Sequence, residues 1–166
     1  MPQSTVNLTL PFGVIGEIYT AGPVRAQSVI IHSTDPTNNI FGRGCTYTSQ
    51  GLVAAGGTGV FAGFLVNPKQ VALFGTAGNP LAPSLTVPND IQIDVLVMGS
   101  IWVTISTTAA IGDYVWYNTT TGALQTTAPG ASTPAGTLFA NAVVDYFTVG
   151  VAGLALITAT PQNTNP

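Results

Sequence analysis

The stretch Asp90-Ile91-Gln92-Ile93-Asp94-Val95-Leu96-Val97-Met98-Gly99-Ser100-Ile101-Trp102-Val103-Thr104-Ile105-Ser106 decides the fold. Ile91, Ile93, Val95 and Val97 recur at every second position, with Gln92, Asp94 and Leu96 between them. Successive side chains of a strand point to opposite faces, so this alternation specifies a β-strand with one apolar face. Gly99-Ser100 marks a bend or bulge. Beyond it Ile101, Val103 and Ile105 alternate with Trp102, Thr104 and Ser106. Trp102 lies opposite Ile101 and Val103, which leaves its ring for a second core or for a ligand.

The flanks have the same character. Downstream, Tyr114–Asn118 reads as a strand and Ala123–Thr127 as its hairpin partner, joined by Thr119-Thr120-Thr121-Gly122, whose glycine can take a positive φ. Thr137–Tyr146 and Leu154–Thr160 follow as strands. Upstream, the strand candidates are Gly13–Thr20, Ala26–His32, Cys45–Ser49, Val60–Val66 and Val71–Gly75, with turns at 35–39 and 67–68. Helical periodicity is almost absent. The pattern predicts an all-β chain, an antiparallel β-sandwich or barrel, with two similar β subdomains as one form of it. The expected organisation is an N-terminal β half over 1–78 with an extended arm, a proline-rich connector over 79–90, a C-terminal β half over 91–160 and a loose tail over 161–166. A faint internal echo supports two halves. Gly42, Tyr47, Gly51-Leu52, Gly59 and Phe61-Ala62 resemble Gly112, Tyr117, Gly122-Ala123-Leu124, Gly136 and Phe139-Ala140.

Composition narrows the function. Of 166 residues only 5% are charged, against about 25% in a typical soluble domain. Thr, Ser, Asn, Gln and Gly take the place of the missing charge. Such a surface costs less to desolvate than one of Lys and Glu, and interface cores are likewise poor in charge. The composition therefore points to a surface that packs against other protein. The three basic residues, Arg25, Arg43 and Lys69, cannot build the stripe that nucleic acid requires, nor an electrostatic membrane anchor. No apolar run reaches the length of a transmembrane helix, and the first residues lack the pattern of a signal peptide. The single cysteine, Cys45, excludes an intrachain disulfide.

Residues that carry catalysis are scarce. His32 is the one imidazole, and its simplest reading is a strand-end histidine bonded to a nearby carbonyl. Cys45 reads as a buried, inert thiol. One His and one Cys do not fill a zinc shell. The loop Asp35-Pro36-Thr37-Asn38-Asn39 lacks the acidic repeat of a calcium loop and reads as an Asx turn. Asp90 and Asp94 share a strand face about 13 Å apart at about 3.3 Å per residue, beyond the roughly 5–9.5 Å of a glycosidase pair. Gly57–Ala62 matches a dinucleotide fingerprint in letters only, because a strand and not a helix follows it. No enzyme, cofactor or metal is expected.

Two stretches carry a resemblance. One is Asn39-Ile40-Phe41-Gly42-Arg43-Gly44-Cys45, continued by Gly59–Lys69; the other is Gly99–Val103, followed by Ile111–Asn118 and the Thr-Thr-Gly-Ala-Leu hairpin. Together they resemble the structural cement, or head decoration, proteins of tailed bacteriophages over roughly residues 10–160. That resemblance implies a β-rich homo-oligomer, dimer or trimer, made in the bacterial host cytoplasm. It would bind the major capsid protein in many copies on the outer surface of the virion, clamping capsomer junctions without nucleic acid or membrane. The segment from Met1 to Leu10, foremost Met1, Pro2, Gln3, Ser4 and Thr5, is the candidate arm for pairing with capsid strands or with another copy. Arg25, Arg43 and Lys69 are the candidate ionic contacts. The alternative reading is a phage-borne carbohydrate-binding or adhesion module that stacks sugars on Trp102, Trp116, Tyr114 and Tyr117.

Overall fold

A computed structural model describes residues 13–20, 22–67, 86–146 and 150–160. The strand expected over Val71–Gly75, most of the 79–90 connector, the 161–166 tail, the arm residues Met1–Thr5 and Lys69 lie outside the described residues.

Among these residues the secondary structure is β, apart from one 3-10 turn at Pro36–Asn38. The strands are β1 (Ile18–Tyr19), β2 (Arg25–Ile31), β3 (Gly44–Tyr47), β4 (Val53–Ala55), β5 (Phe61–Leu65), β6 (Ile91–Ile105), β7 (Tyr114–Asn118), β8 (Leu124–Thr127), β9 (Thr137–Val144) and β10 (Gly153–Ala159). The alternating stretch that opened the sequence is thus one unbroken 15-residue strand. The chain does not stop at Gly99-Ser100; it changes partners there. Ile91–Met98 pairs with β2 on one edge and, at Val95-Leu96, with β5 on the other. Gly99–Ile105 pairs with β10.

Each half of β6 belongs to a closed circuit of strands. The N-terminal barrel runs β6-β2-β4-β3-β5 and returns to β6; the C-terminal barrel runs β6-β8-β7-β9-β10 and returns to β6. The two circuits have the same connectivity. In each, one strand pair is parallel: Ile31 opposite Val53 in β2–β4, and Ile105 opposite Leu124 in β6–β8. In each, the strand before the closure continues by one backbone bond, His32 N–H to Val53 O and Ser106 N–H to Leu124 O. A hydroxyl then extends the closure, with Ala55 N–H donating to Ser33 Oγ and Thr126 N–H donating to Thr107 Oγ1, both at 2.9 Å. Equivalent register shifts interrupt β3–β5 after Cys45 and β7–β9 after Tyr114. Two residues past Phe61 and Phe139 the bulged strands carry Gly63 (φ +139°) and Asn141 (φ +50°). Both residue types tolerate positive φ, and β-branched residues do not.

The sequence echo therefore lies on equivalent strands, with a one-residue adjustment: Tyr47 opposes Val53, not Leu52, as Tyr117 opposes Leu124. Strand β4 escaped the sequence reading because Val53-Ala54-Ala55 is too short and too small in side chain to show alternation. Conversely, Gly13–Thr20 is mostly a turn, closed by Glu17 N–H to Val14 O, and only Ile18–Tyr19 pairs.

Two apolar cores follow from this layout. One gathers Ile31, Cys45, Val53, Leu65, Val87 and Val95 inside the N-terminal barrel. The other joins Ile101, Val103, Ile105, Val115, Leu124 and Ile157 with Phe64 and Leu96. Leu96 sits on the strand face of Gln92 and Asp94, which are exposed, yet it is fully buried. The second barrel packs on that face. Phe61 bridges the two barrels by stacking on Tyr117, with ring centroids 5.1 Å apart. The Asn118–Gly122 hairpin locks against β3 through Gly44 N–H to Gly122 O and against the loop after β4 through Gly57 N–H to Thr119 O.

Candidate interaction surface

The expected contact groups divide sharply. Arg25 opens β2, is exposed, and borders a groove of about 350 Å³ with Gln27, Tyr47, Phe61 and Val97. Arg43 faces inward by comparison. Its Nη1 donates to Asn38 O at 3.3 Å, to Asn38 Oδ1 at 2.9 Å and to Thr121 O at 3.0 Å. The guanidinium thus ties the 3-10 turn of one half to the hairpin of the other. Burial lowers its pKa, while Asp35 opposes that effect.

The loop 35–39 is the Asx turn that the sequence specifies. Asp35 Oδ1 accepts from Thr37 Oγ1 at 2.6 Å and from Thr37 N–H at 3.0 Å. These bonds hold the Asp35 carboxyl below its ordinary range, with a smaller contribution from Arg43. Cys45 is fully buried, and burial pushes its thiol pKa up, so the thiolate nucleophile is suppressed.

His32 differs from its expected partner. Its Nδ1 lies 2.7 Å from Asp90 Oδ1, a carboxylate and not a carbonyl. The reason is register: Ile31 opposes Ile91, so the next residues on the two strands face each other at the barrel's rim. Both side chains are largely exposed, which gives a solvated pair without an oriented nucleophile. Among the described residues no group of three or more His, Cys, Asp and Glu converges on a point.

The outer face of β2 and β6 is mostly polar, with Ile30 exposed among the polar residues. Ser28 donates to Asp94 Oδ1, Ile30 lies opposite Gln92, and His32 meets Asp90. The aromatic residues offered for sugar stacking are mostly enclosed. Trp102 is 5% exposed, with Gly13 laid on its indole so closely that a Cβ there would stand 2.5 Å from the ring. Trp116 donates from Nε1 to Thr127 Oγ1 and packs edge-on against Phe139. Tyr117 is 1% exposed, and burial pushes its phenol up to about 12. Tyr114 alone of the four is half-buried, and its ring already meets Phe139.

The described chain is thus a β-protein of two barrels fused through one strand, with few charged residues. The family model for the structural cement protein (E217 gp24/Pam3 gp6) matches residues 1–160, and the chain belongs to this phage cement family. A chain in the solved structure "The capsid of Myoviridae Phage XM1" has the same fold. It is 19% identical, with a TM-score of 0.63 over 94% of this chain and 95% of that one. No curated protein matches.

Proposed function

We propose that this protein decorates the phage head, binding the major capsid protein at capsomer junctions on the outer surface and stabilising the shell without catalysing a reaction. The observation that carries this reading is the cement-family match over residues 1–160. The composition supports it independently, because a chain with only 5% charged residues leaves a surface that is inexpensive to desolvate against another protein. Repetition over a symmetric shell multiplies a modest contact into a large total. Met1–Thr5, Arg25 and Lys69 are the proposed contacts with the shell or with another copy in a dimer or trimer. Arg43 contributes by holding the barrel-to-barrel joint rigid. Assembly follows synthesis in the host cytoplasm.

Quantitative mass spectrometry of purified virions tests this reading. Copies on the order of hundreds, in a simple ratio to the shell protein, are expected for a symmetric lattice. A few copies per particle would exclude the cement role and favour an adhesion module.

A further inference from the structure

Arg43 leaves most of its hydrogen-bonding capacity unused. Its guanidinium offers donors on Nε, Nη1 and Nη2, yet Asn38 O, Asn38 Oδ1 and Thr121 O all meet Nη1. Among the described residues nothing accepts from Nε or Nη2, and the one ion pair is His32–Asp90. Asp35 attracts the Arg43 charge from beyond salt-bridge distance, and both its oxygens are taken, Oδ1 by Thr37 and Oδ2 by Asn38 Nδ2. A half-buried cation with no anion against it bears a desolvation cost that a carboxylate would offset. The same arginine lines a pocket of about 370 Å³ on the joint between the barrels. Ile15 and Phe41 wall it on the N-terminal side, and Ser106, Leu124 and Ala152 on the C-terminal side. Arg43 is the one charged residue in that lining.

We propose that this pocket receives an acidic side chain of the shell protein, its carboxylate held by the Nε–Nη2 edge of Arg43 and its apolar neighbours by the pocket walls; the assignment rests on the cement role. Chemistry and source select this occupant. Nε–H and one N–H of Nη2 form a planar fork that matches both oxygens of a carboxylate. The apolar walls favour an anion carried on an apolar segment over a free solvated ion. The source follows from the chain's own acids. The sequence holds six acidic residues, and each already serves its own chain. Glu17 Oε2 accepts from Val14 N–H, and Asp113 Oδ2 from Ala110 N–H. Asp35 accepts from Thr37, Asp94 from Ser28 and Asp145 from Thr158, while Asp90 faces His32. A second copy would have to break one of these contacts to offer a side-chain carboxylate, so the anion comes from a different protein. Nη1 keeps its hold on Asn38 and Thr121 throughout, so the partner binds at a joint that is already assembled.

Two measurements with the full chain and phage heads test the pocket. Ala152 is exposed at its rim, so Ala152→Trp fills the pocket from the solvent side. This variant should melt with the wild type and bind heads lacking this protein at least about tenfold more weakly, read by co-sedimentation. Wild-type affinity in Ala152→Trp would overturn the proposal and leave the cement role standing; failure of the wild-type chain to bind such heads would overturn both. The occupant is read separately, whatever the stability of the Trp variant. Val151 is exposed beside the pocket, and Val151→p-benzoylphenylalanine, irradiated on decorated heads, should crosslink to a shell-protein peptide that contains Asp or Glu. A crosslink to a second copy of this chain, or to a peptide without an acidic residue, would overturn the proposal.

Discussion

At the residue scale, the molecule concentrates its few charges where they organise loops. Arg43 Nη1 satisfies two backbone carbonyls and one amide oxygen across the barrel joint. Arg43→Met keeps the aliphatic stem and strands those acceptors, so it should cost about 1–3 kcal/mol in urea unfolding. Asp35 gives a pH signature. Its folded pKa is lowered by the Thr37 hydrogen bonds, so the folded state favours the ionised form. That contribution is complete above the ordinary carboxylate pKa and is lost as pH falls through the lowered folded value. Asp35→Asn should therefore remove part of the acid destabilisation, seen by comparing denaturation midpoints at neutral and acid pH. Gly44 is sterically fixed: a Cβ there would stand 2.9 Å from Tyr117 Cβ and 3.2 Å from Phe61 Cε2. Gly44→Ala should destabilise by about 1–3 kcal/mol, because the Phe61–Tyr117 stack between the barrels must shift.

At the element scale, each barrel closes at its weakest seam, a single parallel pair prolonged by a side-chain hydroxyl. In the N-terminal barrel both partners of that bond, Ser33 and Ala55, are buried. Ser33→Ala leaves the Ala55 N–H without a partner or water, which should cost about 1–3 kcal/mol. The equivalent Thr107→Val should cost about as much, because Thr126 is buried like Ala55 and loses the Thr107 Oγ1 partner of both its N–H and its hydroxyl. Thermal melts of the two variants compare the seams directly. These seams were invisible in the sequence, since a parallel pair between Ile31 and Val53 leaves no local pattern. The antiparallel hairpin of β7 and β8 was legible, because alternation and a Gly-ended loop act over a few adjacent residues.

At the scale of the whole molecule, β6 makes the two barrels one cooperative unit, since either half loses a wall if this strand detaches. Ile31→Ala, deep in the N-terminal core, should cost about 2–5 kcal/mol. Trp102 and Trp116 both belong to strands of the C-terminal barrel. Their fluorescence should nevertheless report the same shifted midpoint as far-UV circular dichroism, as a two-state transition requires. Two separate midpoints would show that the barrels unfold independently. For the candidate interaction surface, the sequence showed its chemistry, a surface poor in charge with Arg25 among its few cations. It did not reveal that Arg43 turns inward, because the oxygens that hold it come from residues as distant as Thr121.

Local physics let the sequence alone determine the β character of the chain, the alternating runs on either side of Gly99-Ser100, the Asx turn at Asp35 and the scarcity of catalytic groups. Alternation, turn chemistry and composition each act within a few residues, so each survives in the linear order. Tertiary structure decided the rest. It buried Leu96 on a face shared with exposed Gln92 and Asp94, enclosed Trp102 beneath Gly13, paired His32 with Asp90, and carried β6 through Gly99 from one barrel into the next. All four depend on which strand lies alongside β6 at each level, and that choice is made by contacts between segments far apart in the chain.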